Sequence, residues 1–320
     1  MKIRGFVLAA LFAVGALPFQ AASYPTKPVR VVVGFAPGGN VDIVNRIVAQ
    51  AMGDDLKQTF LVENRAGANG AIGAEHVARA APDGYTLYVA AVETHALNSA
   101  LRKSLPYDPI KDFTSIGLVG EFAYALVVSA TMPANNVAGF IAYAKQNPGK
   151  LNFSSWGTGS LSQIAMERLK QSTGTELLHV PFKGAGPAMT ALMSGSIQAF
   201  IAPLSLAIPY SSDGRVKMIA VTSAKRQEVT PNTPTLMEQG IPVDIAGWNI
   251  LTAPAGTPQE VVAVLNRALN KAIVRPDVRE KLVSLGANLS ALTPQETQAM
   301  VVSAHRQWGE VTRKAGIIPE

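Results

Sequence analysis

The chain of 320 residues contains no cysteine, which excludes disulfides, thiol nucleophiles, iron–sulfur ligation and thiolate zinc sites. Histidine is scarce. Only His76, His95, His179 and His305 occur, dispersed and never at HxxxH spacing, so neither a metal nor a cofactor is expected. No GxxxxGK[ST] phosphate loop, HExxH pair or GxSxG elbow is found. The formal charge of +6 comes from Lys and Arg interleaved with Asp and Glu, without basic runs or aromatic ladders, so a nucleic-acid partner is not expected. What is abundant is apolar surface. At 48% apolar and 16% charged residues, the chain has enough for two packed domains.

The first residues read as an export signal. Lys2 and Arg4 precede an apolar stretch over 6–19, and Ala21-Ala22-Ser23 supplies the small-x-small pattern for cleavage before Tyr24. The stretch is shorter than the roughly 20 residues needed to span a bilayer. Residues 1–23 are therefore expected to be removed, lowering the charge of +6 by two, to +4.

From Tyr24 onward, strands and helices alternate. Val29 to Val33 is a β-branched run, broken by Gly34-Phe35-Ala36-Pro37-Gly38-Gly39, after which Val41, Val44, Val48 and Ala51 recur at helical spacing. Further apolar bursts, at 60–62, 87–91, 126–129, 151–153, 177–180, 199–202, 218–221 and 250–251, are separated mostly by helix-length segments, which predicts an α/β fold. Thr257-Pro258-Gln259-Glu260 and Thr293-Pro294-Gln295-Glu296 each predict a helix start with a reciprocal Thr and Glu cap. His76 and His305 are expected on helix surfaces.

One local design occurs twice. At 31–42 and again at 151–163 a strand enters a glycine-rich turn and then a helix; the second turn is Ser154-Ser155-Trp156-Gly157-Thr158-Gly159-Ser160. Glycine allows backbone amides to approach a ligand, and a helix N-terminus adds unpaired N–H groups of partial positive charge. Each turn is thus a candidate anion cradle. Gly157-Thr158-Gly159-Ser160-Leu161-Ser162 departs from the dinucleotide fingerprint at Ser162, and no acidic residue ends the next strand. His95 as base and Ser155 or Ser160 as nucleophile form no constellation visible in the sequence, so an enzyme is not expected.

These residues fall into a wider pattern. Tyr24-Pro25-Thr26-Lys27-Pro28, Phe35-Ala36-Pro37-Gly38-Gly39 with Asp42, Val62-Glu63-Asn64-Arg65, Ala81-Pro82-Asp83-Gly84-Tyr85, His179-Val180-Pro181-Phe182-Lys183-Gly184 and Ala253-Pro254-Ala255-Gly256-Thr257-Pro258 are ordered and spaced as in the solute receptors of tripartite tricarboxylate transporters, the Bug receptors, which the chain resembles over essentially its whole mature length. The resemblance implies a monomeric periplasmic receptor of the two-lobe, type II-like Venus flytrap form with crossing hinge strands. It would close on a small dicarboxylate or aromatic carboxylate and deliver it to the membrane permease subunits. A periplasmic sensor signalling through a membrane partner is the alternative.

On that resemblance one lobe spans 24–125 plus 245–320 and the other 126–244. The ligand is expected among Phe35, Ala36, Gly38, Gly39, Asn40 and Asp42 of one jaw, and Ser155, Trp156, Gly157, Thr158, Gly159 and Ser160 of the other. Glu93, Thr94 and His95 would flank the first jaw, and Lys183, Gly184 and Ala202 the second. Two departures bear on the ligand. Trp156 stands where many members carry a small residue, and Ala202-Pro203-Leu204 where many carry Asp or Asn, which removes a partner for an α-ammonium group. Glu93, if it enters the cleft, would repel a carboxylate.

Overall fold

The computed structural model describes residues 24–314, so the proposed export signal lies outside the described residues. The β-branched run forms β1 (Val29–Val33); α1 (Asn40–Leu56), β2 (Phe60–Asn64), α2 (Ala71–Ala78) and β3 (Thr86–Ala91) follow. β1 lies between β2 and β3, parallel to both. Valines alternate across it because both faces are covered. Val32 joins the core beneath α2, whereas Val31 and Val33 join the core beneath α1.

After β3 the chain makes a π turn (Glu93–Leu97) that runs directly into α3 (Asn98–Leu101), then enters β4 (Phe113–Ser129), a strand of 17 residues. Only its end, 126–129, stands out as an apolar burst. The rest is interrupted by Gly117 and Gly120, where the pairing register slips. Glycine at 117 allows close approach: a Cβ there would lie 2.9 Å from Leu269 Cδ2 and 3.0 Å from Asn266 Nδ2, so those side chains would have to shift.

β4 is the element that crosses between the two halves of the sheet. From Phe113 to Ala123 it pairs antiparallel with β9 (Ala246–Pro254), which itself pairs with β3. From Tyr124 onward it pairs with β7 (Ala199–Pro203) and β8 (Val216–Val221) instead. The intervening α4 (Val137–Gln146), β5 (Leu151–Ser155), α5 (Leu161–Thr173), β6 (Leu177–Pro181), α6 (Ala185–Met193) and α7 (Leu204–Ser212) complete a second parallel unit, β7-β5-β6. The chain returns at Thr222, whose hydroxyl donates to Ile245 O at 2.6 Å while its carbonyl accepts from the Ile245 amide at 2.8 Å.

The C-terminal elements pack on the first unit. α8 (Gln259–Val274) buries Leu265 and Leu269; α9 (Pro276–Ser284) and the short β10 (Ala287–Asn288) lead to α10 (Pro294–Lys314), which buries Val301 and Trp308. Only one of the two expected reciprocal caps forms. Glu296 accepts from the Thr293 amide at 2.8 Å and the Glu296 amide donates to Thr293 Oγ1 at 3.2 Å. Thr257 instead donates to Pro254 O at 2.8 Å, and α8 begins after Pro258 without a side-chain cap.

Candidate binding site

The first turn, Gly34–Gly39, delivers the chain into α1 with Gly38 at φ +78°, a left-handed conformation that favours glycine. Gly39 is the N-cap and offers no side chain to the first-turn amides. Asp42 organises the turn from inside the helix: Oδ2 accepts from the Gly38 amide at 3.0 Å, and Oδ1 accepts from Arg46 Nε at 3.0 Å and Asn64 Nδ2 at 2.8 Å. Burial pushes the Asp42 carboxyl up, but the bonds from Arg46, Gly38 and Asn64, together with the Arg46 charge, bring it below its ordinary value. Asp42 is therefore a buried ionised group whose charge is spoken for. Asn64 also donates to Phe35 O at 3.0 Å, tying the turn to β2.

The second turn is differently furnished. Ser155 Oγ lies 2.7 Å from His179 Nε2, donates to Gly157 O at 3.0 Å and accepts from the Gly157 amide at 3.2 Å. The Gly159 amide donates to Gln163 Oε1 at 2.8 Å, and Ser160 Oγ caps α5 by accepting from the Gln163 amide. Ser155 and Ser160, considered as nucleophiles, are thus turn-ordering and capping hydroxyls. Thr158 is exposed at the tip. The turn after β6 borders this jaw, since the Phe182 amide donates to Ser155 O at 3.0 Å; Lys183 beside it is exposed, and Gly184 takes φ +113°.

Glu93 connects the two units. It sits at the start of the π turn, only 5% exposed, and its Oε1 accepts from Trp156 Nε1 at 3.4 Å. The backbone N–H of Leu161, the first residue of α5, acts on the same carboxyl. Burial raises the Glu93 pKa above its ordinary value, and donation from its own amide, Leu161 and Trp156 offsets only part of that rise. A second bridge stands beside it: Asn69 Nδ2 donates to Gly159 O at 3.1 Å and meets Asn98 Oδ1 at 3.3 Å, while Asn98 Nδ2 donates to Asn69 O at 3.1 Å. Asn69 holds φ +53° in a left-handed turn between Gly67 and Gly70, which aims its side chain across the gap. Sequence reasoning missed Asn69 and Asn98, although an Asn set between glycines signals such a turn.

Three of the expected site residues have surroundings that the sequence does not reveal. The His95 ring does not line an open cleft; it is 1% exposed, with ring centroids of Phe113, Tyr88 and Tyr107 at 4.6, 5.9 and 6.5 Å. Its Nδ1 meets Thr94 Oγ1 at 3.0 Å, its Nε2 is buried without a partner, and burial drives its pKa down to about 3, so it is neutral. Ala202 is fully buried in the core of the second unit, and its side chain reaches no surface. Trp156 has ring partners that the turn's composition does not reveal: Tyr124, at the β4 crossing, at 5.3 Å between centroids, and Phe200 at 6.3 Å. Phe35 and Thr94 do approach one another, since both would contact a Cβ placed on Gly70. His76 and His305 are half-buried rather than surface residues, His305 lying 3.3 Å from both Ser99 Oγ and His95 O. A broad open depression at the β2 edge, bordered by Lys27, Arg30, Leu61, Ile72, His76 and Tyr85, shares no residue with either turn.

Among the described residues there is no group of three or more His, Asp or Glu side chains arranged to hold a metal ion, and no helix long and apolar enough to cross a membrane. A solved R. palustris protein with bound adipate is similar over 93% of this chain and all of its own length, with TM-score 0.89 and 33% identity. MatC from Rhodopseudomonas palustris with bound malate matches with TM-score 0.84 and 35% identity, over 90% of this chain and 99% of MatC. The periplasmic binding protein BugD gives TM-score 0.87 and 34% identity, over 93% of this chain and all of BugD. The fold is that of the α/β periplasmic binding proteins. Residues 44–317 match the family model described as the tripartite tricarboxylate transporter family receptor, and the chain belongs to that family of solute-binding receptors.

Proposed function

We propose that the mature chain, released into the periplasm by removal of residues 1–23, acts as a monomeric receptor that closes on a small carboxylate and hands it to the membrane permease of a tripartite transporter. The lobes are 24–125 with 245–320, and 126–244, hinged where β4 exchanges β9 for β7 and β8. One observation carries the reading: the glycine-rich turn before α5 meets the first unit across the β4 crossover, through Trp156 to Glu93 of the π turn and Gly159 to Asn69 of the turn before α2. A ligand held there touches both lobes at once. The N-terminus of α1, capped only by Gly39, offers amides for the carboxylate. Adipate and malate, bound by two similar R. palustris proteins, support the ligand class.

Thermal-shift screening tests this reading. Matched mono- and dicarboxylates of four to six carbons, malate, benzoate and terephthalate are added to the mature protein. A ligand at one hundred times its Kd stabilises the folded form by about 2.7 kcal/mol, and at least one carboxylate is expected to raise the melting temperature by several degrees. Shifts confined to neutral sugars or cationic amines would reject it.

A further inference from the structure

The two jaws differ in what already occupies them. At α1 the N-cap is Gly39, with no side-chain bond to the first-turn amides, and the one nearby carboxylate, Asp42, faces Gly38, Arg46 and Asn64. At α5 the hydroxyl of Ser160 and the amide oxygen of Gln163 already take the N–H groups of Gln163 and Gly159, and the carboxyl of Glu93 lies against the same turn. Glu93 is not part of the lobe to which α5 belongs. It comes from the π turn after β3, crosses to the other jaw, and takes the indole N–H of Trp156 as well. One jaw presents open amides to an anion; the other is filled by a carboxyl from within the chain.

We infer, on the reading that this protein is a carboxylate receptor, that Glu93 is a specificity-determining residue: it occupies the second anion position, so the ligand carries one carboxylate, placed at α1, and a neutral hydrogen-bonding group such as an amide or hydroxyl at its other end. A second ligand carboxylate would need the indole N–H that Glu93 holds and would lie beside a buried acid, where charge repulsion is weakly screened. A neutral amide meets neither obstacle, because its N–H groups can donate to the free lone pairs of Glu93. Burial raises the Glu93 pKa, in keeping with a site built around a carboxyl that has lost its water.

Calorimetric titration of the wild-type protein with matched pairs decides the matter: succinate against succinamate, glutarate against glutaramate, adipate against adipamate, terephthalate against terephthalamate. In every pair that binds, the monoamide is expected to be at least tenfold tighter. Glu93→Ala, which frees Trp156 Nε1, should shift that ratio at least tenfold towards the dicarboxylate, with the melt and the circular dichroism spectrum confirming that the variant is folded. If Glu93→Ala fails to fold, the wild-type ratios decide alone. A dicarboxylate bound as tightly as its monoamide by the wild type would overturn the inference and leave the receptor reading standing. If no member of any pair binds, this inference fails, and the receptor reading fails with it only if the wider carboxylate screen also gives no shift.

Discussion

Glu93 and His95 stand two residues apart on one π turn, and burial disfavours the charged form of each, with opposite consequences for stability. The pKa of His95 falls to about 3 through burial, aided by the nearby His305. Between that value and the unfolded value of about 6.5 the unfolded chain binds a proton that the folded chain does not, so stability rises with pH by up to about 1.4 kcal/mol per unit. Glu93 runs the other way: its raised pKa leaves its contribution intact below the ordinary carboxyl value and lost as pH rises through the folded one. His95→Phe, which keeps a ring among Tyr88, Tyr107 and Phe113, should flatten the rise between pH 4 and 6.5 relative to wild type, as read from denaturant midpoints. An unchanged slope would mean that His95 is solvated in the folded protein. Trp156→Phe removes the indole donor to Glu93 and reshapes the contact with Tyr124, and should cost about 1 kcal/mol by the same measurement. At this scale the sequence was least legible. Glu93 and Trp156 stood out as unusual in their places, but 63 positions separate them, and neither local propensity nor periodicity states which distant group a side chain meets.

At the scale of elements, local rules were readable wherever the deciding contact is itself local. The strand, glycine turn and helix of both jaws follow from β-branched runs, glycines and helical spacing. Thr293 and Glu296 cap one another because they are three residues apart. Thr293→Ala is expected to lower stability by about 1 kcal/mol; Thr257→Ala, whose hydroxyl binds a carbonyl and caps no amide, is expected to cost less, and equal losses in chemical denaturation would refute the difference. The full length of β4 was hidden because its bulges are set by helix α8 packing onto Gly117, a partner about 150 positions away in the chain. The first jaw permits a cleaner test. Gly39 has φ −79° and a Cβ there meets nothing closer than Ala36 O at 3.6 Å, so Gly39→Val leaves the fold intact while its side chain covers the α1 amides. It should weaken carboxylate binding at least tenfold, with circular dichroism showing a folded variant whose melting temperature falls only by the modest cost of a poorer N-cap. Arg46→Ala, behind Asp42, should weaken binding far less; the reverse ranking would place the anion elsewhere.

The whole molecule turns on one strand. β4 belongs to both halves of the sheet, and the return through Thr222 and Ile245 lays β9 beside it, so two connections cross where pairing changes hands. Trp156 packs on Tyr124 at that crossing, which joins the second glycine-rich turn to the crossover by direct contact. The bonds from Glu93 to Trp156 and from Asn69 to Gly159 span the jaws and are few, so a ligand touching both sides would tip the balance between open and closed forms. Small-angle scattering of the mature protein, with and without a saturating carboxylate found in the thermal screen, tests the clamp most directly. A smaller radius of gyration and a shorter maximum dimension are expected in the bound state; identical scattering curves at proven saturation would rule out closure on the ligand.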